Sequence, residues 1–264
     1  MTFKTDGSSH RGGVKSENKI VSLMQSSPEK AAVLCNIPLK NGGYTVVRRG
    51  GTKYKEDFIV CFPDQKNIKI SHKHKKRLTS GSFDFVNTSG HPLLSNLKEL
   101  SKNLRKGSFS VCSARNKFNA GCKSLLDTMT SDEIIQILRD CIVKPYSKID
   151  RISIESAEQN TIFSFDPQDL PLFNALKMEG VNVELTGRGK TSRMIKFFDK
   201  EKSAISVPSL RIRVCSNNGI KAMLGINPKG KNNNSTPVIK IQQDSVHKLV
   251  ENISAAGKLT KVKV

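Results

Sequence analysis

Apolar and polar positions follow no sustained period over the first twenty or so residues, and periodic segments begin only after them. Residues 1–22 are rich in Gly, Ser and Lys and predict a flexible arm. Ser26-Ser27-Pro28-Glu29 then supplies a cap residue, a proline suited to the first helical position and an acid near the helix start. That helix runs to about Leu34 and stops near Asn36 and Pro38. After the turn signal Asn41-Gly42-Gly43, three stretches rich in strand formers follow: 44–48, 57–62 and 67–72. A polar, Gly-containing loop from Arg49 to Lys53 separates the first two, and Pro63-Asp64 turns the chain into the third. Phe83-Asp84-Phe85 is short and extended, and Leu94, Leu97, Leu100 and Leu104 recur at helical spacing. The order helix, three antiparallel strands, short strand, helix predicts an α+β domain over residues 23–107, with an antiparallel sheet flanked by two helices.

Residues 108–264 read as a second α/β or α+β module. An amphipathic helix spans 131–141, with Thr130 or Ser131 available to cap it. Segments 151–155 and 161–165 alternate as half-buried strands, and Asp166-Pro167 opens a helix that Gly180 closes. Strands are expected at 181–185, 194–198 and 210–214, and the last 27 residues give strand, helix and short strand after the Asn232-Asn233-Asn234 loop. No repeat links this module to the first.

Composition adds one strong constraint. The chain has 44 Lys+Arg against 23 Asp+Glu, a net charge of +21, and both halves are basic. Such a surface seeks an anionic partner, whether nucleic acid, acidic lipid or phosphorylated protein. No apolar run approaches the ~20 residues that span a bilayer, and the N-terminus has no apolar stretch of the signal-peptide kind. The six cysteines have no CxxC spacing and no partnering His pattern, so they read as scattered thiols in a reducing compartment, with no metal site and no cofactor expected. GxSxG, HExxH and P-loop motifs are absent, and Gly187-Arg188-Gly189-Lys190-Thr191 misses the P-loop spacing because position 184 is Glu. No catalytic residue is assigned, and the sequence names no nucleophile for residues 108–264.

The sharpest local feature is Arg48, which ends an apolar strand and precedes the Gly-rich loop. An arginine pointing inward from such a sheet could grip a dianionic phosphate bidentately, while the bare amides of Gly50 and Gly51 and the hydroxyl of Thr52 add donors. The run Lys73-His74-Lys75-Lys76-Arg77 reads either as a solvated face or nucleic-acid patch, or as a border that raises the potential around such a pocket.

With these residues in order, the segment from about Met24 to Lys106 resembles an SH2 domain, the phosphotyrosine-binding module. Gly43-Tyr44-Thr45-Val46-Val47-Arg48 looks like the family's strand ending in its phosphate-gripping arginine. Ile70-Ser71-His72-Lys73-His74 looks like the strand whose histidine and basic residue flank the phosphotyrosine ring, and Leu94 to Leu100 resembles its second helix. The resemblance implies a phosphotyrosine site made of Arg48, Arg49, Gly50, Gly51, Thr52, Lys53, His72, Lys73 and His74, with Lys30 standing in for the first helix's usual arginine. Departures are the missing Trp, Ser27 where that arginine belongs, and Gly50 where the loop usually has Ser. The composition is similar to that of SH2 proteins of intracellular bacteria such as Legionella, which implies a secreted effector that engages tyrosine-phosphorylated proteins in host cytosol, or otherwise a cytoplasmic protein. The alternative from a different class is a basic nucleic-acid-binding protein.

Overall fold

The computed structural model describes residues 8–38, 43–49, 56–63, 66–79, 83–87, 91–187, 192–213, 240–243 and 245–264. The strands, in chain order, are β1 (Thr45–Arg48), β2 (Phe58–Cys61), β3 (Ile68–Lys75), β4 (Phe83–Asn87), β5 (Arg151–Ser156), β6 (Thr161–Phe165), β7 (Asn182–Thr186), β8 (Ser192–Phe198), β9 (Ala204–Arg213), β10 (Lys240–Gln243) and β11 (Thr260–Lys263). The first five helices are α1 (Ser8–Ser26), α2 (Pro28–Cys35), α3 (Ser95–Lys106), α4 (Val111–Thr128) and α5 (Ser131–Leu138). Mixed helix and sheet bear out the α+β class. Among the described residues no helix is long and apolar enough to cross a membrane.

The chain forms two compact units, and both are discontinuous. One comprises Met1–Gly81, Pro145–Phe173 and Ser245–Val264; the other comprises Ser82–Lys144 and Asn174–Asp244. The divisions expected at 22/23 and 107/108 are therefore corrected, because the chain leaves the first unit after β3 and returns to it at β5.

In the first unit, β1, β2 and β3 form the expected antiparallel meander, with Arg48 opposite Phe58 and Phe58 opposite Ile70. Strand β3 then pairs in parallel with β5, Ile70 opposite Arg151 through Lys75 opposite Ser156, and the sheet continues through β6 to β11. That parallel pairing needs a long crossover, and the other unit's first segment occupies it. The short strand and second helix expected to complete an SH2-like layer, β4 and α3, belong to the second unit.

The arm expected over residues 1–22 is instead helical from Ser8 onward. Ser16, Ile20 and Met24, spaced one turn apart, are all buried along one side of α1. Helix α2 follows its sequence signals closely. Ser27 Oγ accepts from the Lys30 N–H at 3.4 Å, Pro28 opens the first turn, and Asn36 closes the helix with φ of 55°. Ile20, Met24, Ala31, Leu34 and Cys35 meet Phe58, Val60, Ile70, Ile162 and Val262 of the sheet in one apolar cluster. Arg151 is buried at this end, donating to Ser164 Oγ at 3.2 Å and Thr260 Oγ1 at 3.1 Å.

In the second unit a five-stranded antiparallel sheet runs β4-β10-β9-β8-β7. Helix α4 buries Ala114, Phe118, Cys122 and Leu126, one per turn, and Arg193 of β8 donates twice to Asp127 at its end, at 3.2 and 2.8 Å. Helix α5 opens with a capping box between Thr130 and Glu133, and Ser131 Oγ accepts from the Val183 N–H of β7 at 2.7 Å. A π-helical turn, Arg139–Val143, follows α5 directly.

Candidate functional site

Strand alternation decides what gathers beneath α1. Successive side chains of β3 face opposite sides, so Ile70, His72 and His74 share the face that α1 covers, and Lys73 lies on the other. The parallel register sets Ser153 beside His72 and Glu155 beside His74. Helix α1 brings Ser16, Glu17 and Lys19 over them, and its backbone passes close enough at Gly12 that a Cβ there would stand 3.9 Å from His74 Cδ2. Toward the apolar cluster this face is hydrocarbon; away from it the face is a buried polar network.

The network's protons can be assigned. Glu155 Oε2 accepts short bonds from Ser16 Oγ–H and, at 2.9 Å, from His74 Nδ1–H, while Lys19 Nζ lies 3.1 Å from Oε1. Burial raises the Glu155 pKa, but these three donors outweigh it and hold the carboxyl below its ordinary range. His72 is fully enclosed, and burial pushes its imidazole down to about 3, so the ring is neutral. Ser16 has one hydroxyl proton and gives it to Glu155. His72 Nε2–H therefore donates to Ser16 Oγ at 2.7 Å, and Nδ1 accepts from Ser153 Oγ–H at 2.9 Å. In this arrangement His72 cannot take a proton from Ser16, so Ser16 is a bonded core hydroxyl and not an activated nucleophile.

Arg48 stands at the rim of this network. The inward, phosphate-ready arginine expected from the sequence is corrected: β1 is an exposed edge strand, and the guanidinium is already engaged. Its Nε and Nη2 donate to Glu17 Oε2 at 3.0 and 2.6 Å, and Nη1 donates to Asn18 Oδ1 at 3.1 Å. An anionic phosphate would have to displace the Glu17 carboxylate. Arg49 is exposed, with its backbone N–H donating to the Asp57 carbonyl at 2.9 Å. Gly50, Gly51, Thr52 and Lys53 lie outside the described residues, as do residues 188–191 of the Gly187-Arg188-Gly189-Lys190-Thr191 segment. Lys30 sits in the first turn of α2, half-buried.

Of the ten residues expected to form the site, His72 and His74 are brought together through Glu155, and Arg48 joins them by way of α1. His72 has 5% exposure and presents nothing to a ligand. Sequence reasoning missed Ser16, Glu17 and Lys19 because they fell in the supposed arm. It read Ser153 and Glu155 as the wet side of a half-buried strand. The available signal was the pair of polar alternations, His72/His74 and Ser153/Glu155, which fit each other only if β3 and β5 are neighbours.

A second imidazole–carboxylate contact lies in the second unit. His91 Nε2–H donates to Asp140 Oδ2 at 3.2 Å, while His91 Nδ1 accepts from the Leu93 N–H at 3.3 Å. Bonds from Gln136, then His91, lower the Asp140 pKa. Both ring nitrogens are occupied here as well. Burial pushes the Cys35 thiol up to about 12 and the Cys141 thiol to about 11, the opposite of a reactive thiolate. Among the described residues no group of three or more His, Cys, Asp or Glu is placed to hold a metal ion.

Outside these networks the distribution of charge is uneven. Some carboxylates are engaged within the fold, Asp57 accepting from Ser71 Oγ and the His72 N–H and Asp150 from the Lys69 N–H, while others, such as Asp127, Glu158, Glu184 and Glu201, are exposed. Lysines such as Lys15, Lys76, Lys98, Lys106, Lys123, Lys148 and Lys196 are exposed. Comparison with family models, with curated proteins and with solved structures found no match, so this surface carries the functional reading alone.

Proposed function

We propose that this protein binds nucleic acid through the phosphate backbone. The observation that carries the reading is the cationic excess in solvent: lysines such as Lys98, Lys123 and Lys196 are exposed, while several carboxylates, Asp57, Asp150 and Glu155 among them, are engaged by donors of the fold. With 44 Lys+Arg against 23 Asp+Glu, the surface carries a large cationic excess even though acids such as Glu158, Glu184 and Glu201 are also exposed. Both compact units contribute, with 22 Lys+Arg each, against 12 Asp+Glu in the first and 11 in the second. Phosphate-directed binding of this kind releases counterions and loses affinity steeply with salt.

The phosphotyrosine reading has weaker support, since Arg48 already holds Glu17 and His72 is enclosed. The two readings separate in one experiment. The whole chain is titrated with a short DNA duplex and with a phosphotyrosine peptide between about 50 and 200 mM salt. If about four phosphates are neutralised, the duplex affinity should fall with a double-logarithmic slope on the order of −3.6. Absent duplex binding, or tighter binding of the phosphopeptide than of the duplex at the upper salt concentration, would overturn the nucleic-acid reading.

A further inference from the structure

Helix α3 concentrates cations on one flank. Its Leu97, Ser101 and Leu104 are buried, and at 3.6 residues per turn they fall within an arc of about 60°. Lys98, Lys102, Arg105 and Lys106 are exposed and fall within the adjoining arc of about 100°. Lys98, Lys102 and Lys106 are spaced four residues apart, so each step rises about 6 Å and the ladder spans about 12 Å. Arg105 and Lys106 occupy the last turn, where the helix dipole favours cations. The acid on this part of the helix, Glu99, pairs with Lys102 at 3.1 Å, but both side chains are more than half exposed, at 60% and 57%. A pair so hydrated contributes little and yields easily to a competing phosphate.

The back of the helix is fixed. Leu100 packs against α4 so closely that a Cβ on Gly121 would stand 2.4 Å from Leu100 Cδ2, and the Leu100 side chain would have to shift to admit it. That closure also identifies the partner. A helix that binds an anionic membrane inserts an apolar face beside its cations, but the apolar face of α3 is buried in its own unit. A phosphopeptide offers one dianion, whereas a row of cations about 12 Å long, slanting about 40° around the helix at each step, matches a repeating charge. A duplex strand carries its charge as a regular series of phosphates, which successive lysines of the row can meet in turn.

We propose that the Lys98–Lys102–Arg105–Lys106 flank of α3 is the surface on which the phosphate backbone of a nucleic-acid duplex rests. This assignment rests on the nucleic-acid reading above. Its test uses the full chain carrying Lys98→Gln, Lys102→Gln and Lys106→Gln, beside a control carrying Lys196→Gln, Lys200→Gln and Lys202→Gln, three exposed lysines of the same unit. Both variants lose the same net charge, and Gln replaces Lys in a helix at little cost; circular dichroism checks that α3 stays folded. The α3 variant should lose at least about tenfold in duplex affinity and about 2.7 in salt slope, while the control stays within about twofold. Equal losses in both variants would overturn the α3 assignment and leave the nucleic-acid reading intact. Failure of the unmodified chain to bind duplex would remove both. Tighter binding to phosphatidylserine-containing vesicles than to duplex, lost in the α3 variant, would reassign the flank to a membrane and contradict the proposal.

Discussion

Lys19 and Lys102 look alike: each is an exposed lysine on a helix, and each reaches a glutamate at 3.1 Å. Their partners differ. Glu155 is 4% exposed and also holds Ser16 and His74, whereas Glu99 is 60% exposed and holds only the neighbouring turn of its own helix. A buried carboxylate with three donors is part of the fold, and removing any donor leaves charge stranded away from water. A solvated pair exchanges readily with water, salt or a phosphate. The difference bears on the first unit as much as the second. Arg48, His72 and His74 have the residue types of a phosphate site, but the protein's own carboxylates and hydroxyls already occupy their donors. The second unit's α3 lysines have the same chemistry, and the carboxylate that Lys102 meets, Glu99, is itself solvated.

The comparison breaks most sharply at Glu155. Glu155→Ala removes the acceptor shared by Ser16, His74 and Lys19, and unfolding in urea should register a loss of about 3 kcal/mol or more. A loss below about 1 kcal/mol would show that the network is not what holds α1 to the sheet. Glu99→Ala serves as the contrast and should change stability by less than about 0.5 kcal/mol.

Acid should weaken the first unit next. The imidazole of His72 faces Ser16 on α1, Ser153 and Glu155 on β5, and Lys73 and His74 on its own strand. Its pKa is depressed by burial to about 3, from an ordinary 6.5, so the unfolded chain takes up a proton at pH values where the folded one does not. Stability from this group is fully present above pH 6.5 and falls as pH drops through the window toward 3, at about 1.4 kcal/mol per pH unit, or about 2 kcal/mol by pH 5. The lowered Glu155 pKa acts in the same direction, but only below the ordinary carboxylate range. Urea titrations at pH 7, 6 and 5 check the slope, and His72→Gln should flatten it. An unchanged slope in that variant would assign the acid sensitivity elsewhere.

Smaller effects sharpen the contrast. Ser16→Ala leaves the His72 Nε2–H without its acceptor and should cost about 1–3 kcal/mol. At the rim, Glu17→Ala should cost less than about 1 kcal/mol, since the Arg48 side chain is 38% exposed. If that same variant gained tight phosphotyrosine-peptide binding, Arg48 would be a masked phosphate ligand and the difference between the two regions would narrow.

Local chemistry explains how much of the fold was legible. The Ser27-Pro28 start and Asn36 stop of α2, the three strands β1 to β3, and the β5–β6 pair all announce themselves through caps, turns and alternation. Helix α1 does not, because its buried stripe is Ser16, Ile20 and Met24, one polar residue in three, with Gly12 and Gly13 ahead of it. Helix α4 hides for a related reason: its stripe is Ala114, Phe118, Cys122 and Leu126, small and sulfur-bearing positions that make a weak apolar signal. The parallel pairing of β3 with β5 joins segments separated by the second unit's first segment, residues 82–144, and no turn encodes it; the matching polar alternations are its one local trace. Glu155 was misplaced as a consequence. Alternation in 151–156 reads as one wet face, but a strand with neighbours on both edges and cover on both faces has none.

The most direct test sets the two regions against each other on one ligand. Duplex binding is measured across salt concentrations for the unmodified chain, for the Lys98→Gln, Lys102→Gln, Lys106→Gln variant, and for Arg48→Gln. If α3 carries the phosphate contacts, the α3 variant loses about 2.7 in double-logarithmic slope while Arg48→Gln keeps the slope of the unmodified chain to within about 0.5. The reverse pattern, a slope lost with Arg48 and kept without the α3 lysines, would contradict it.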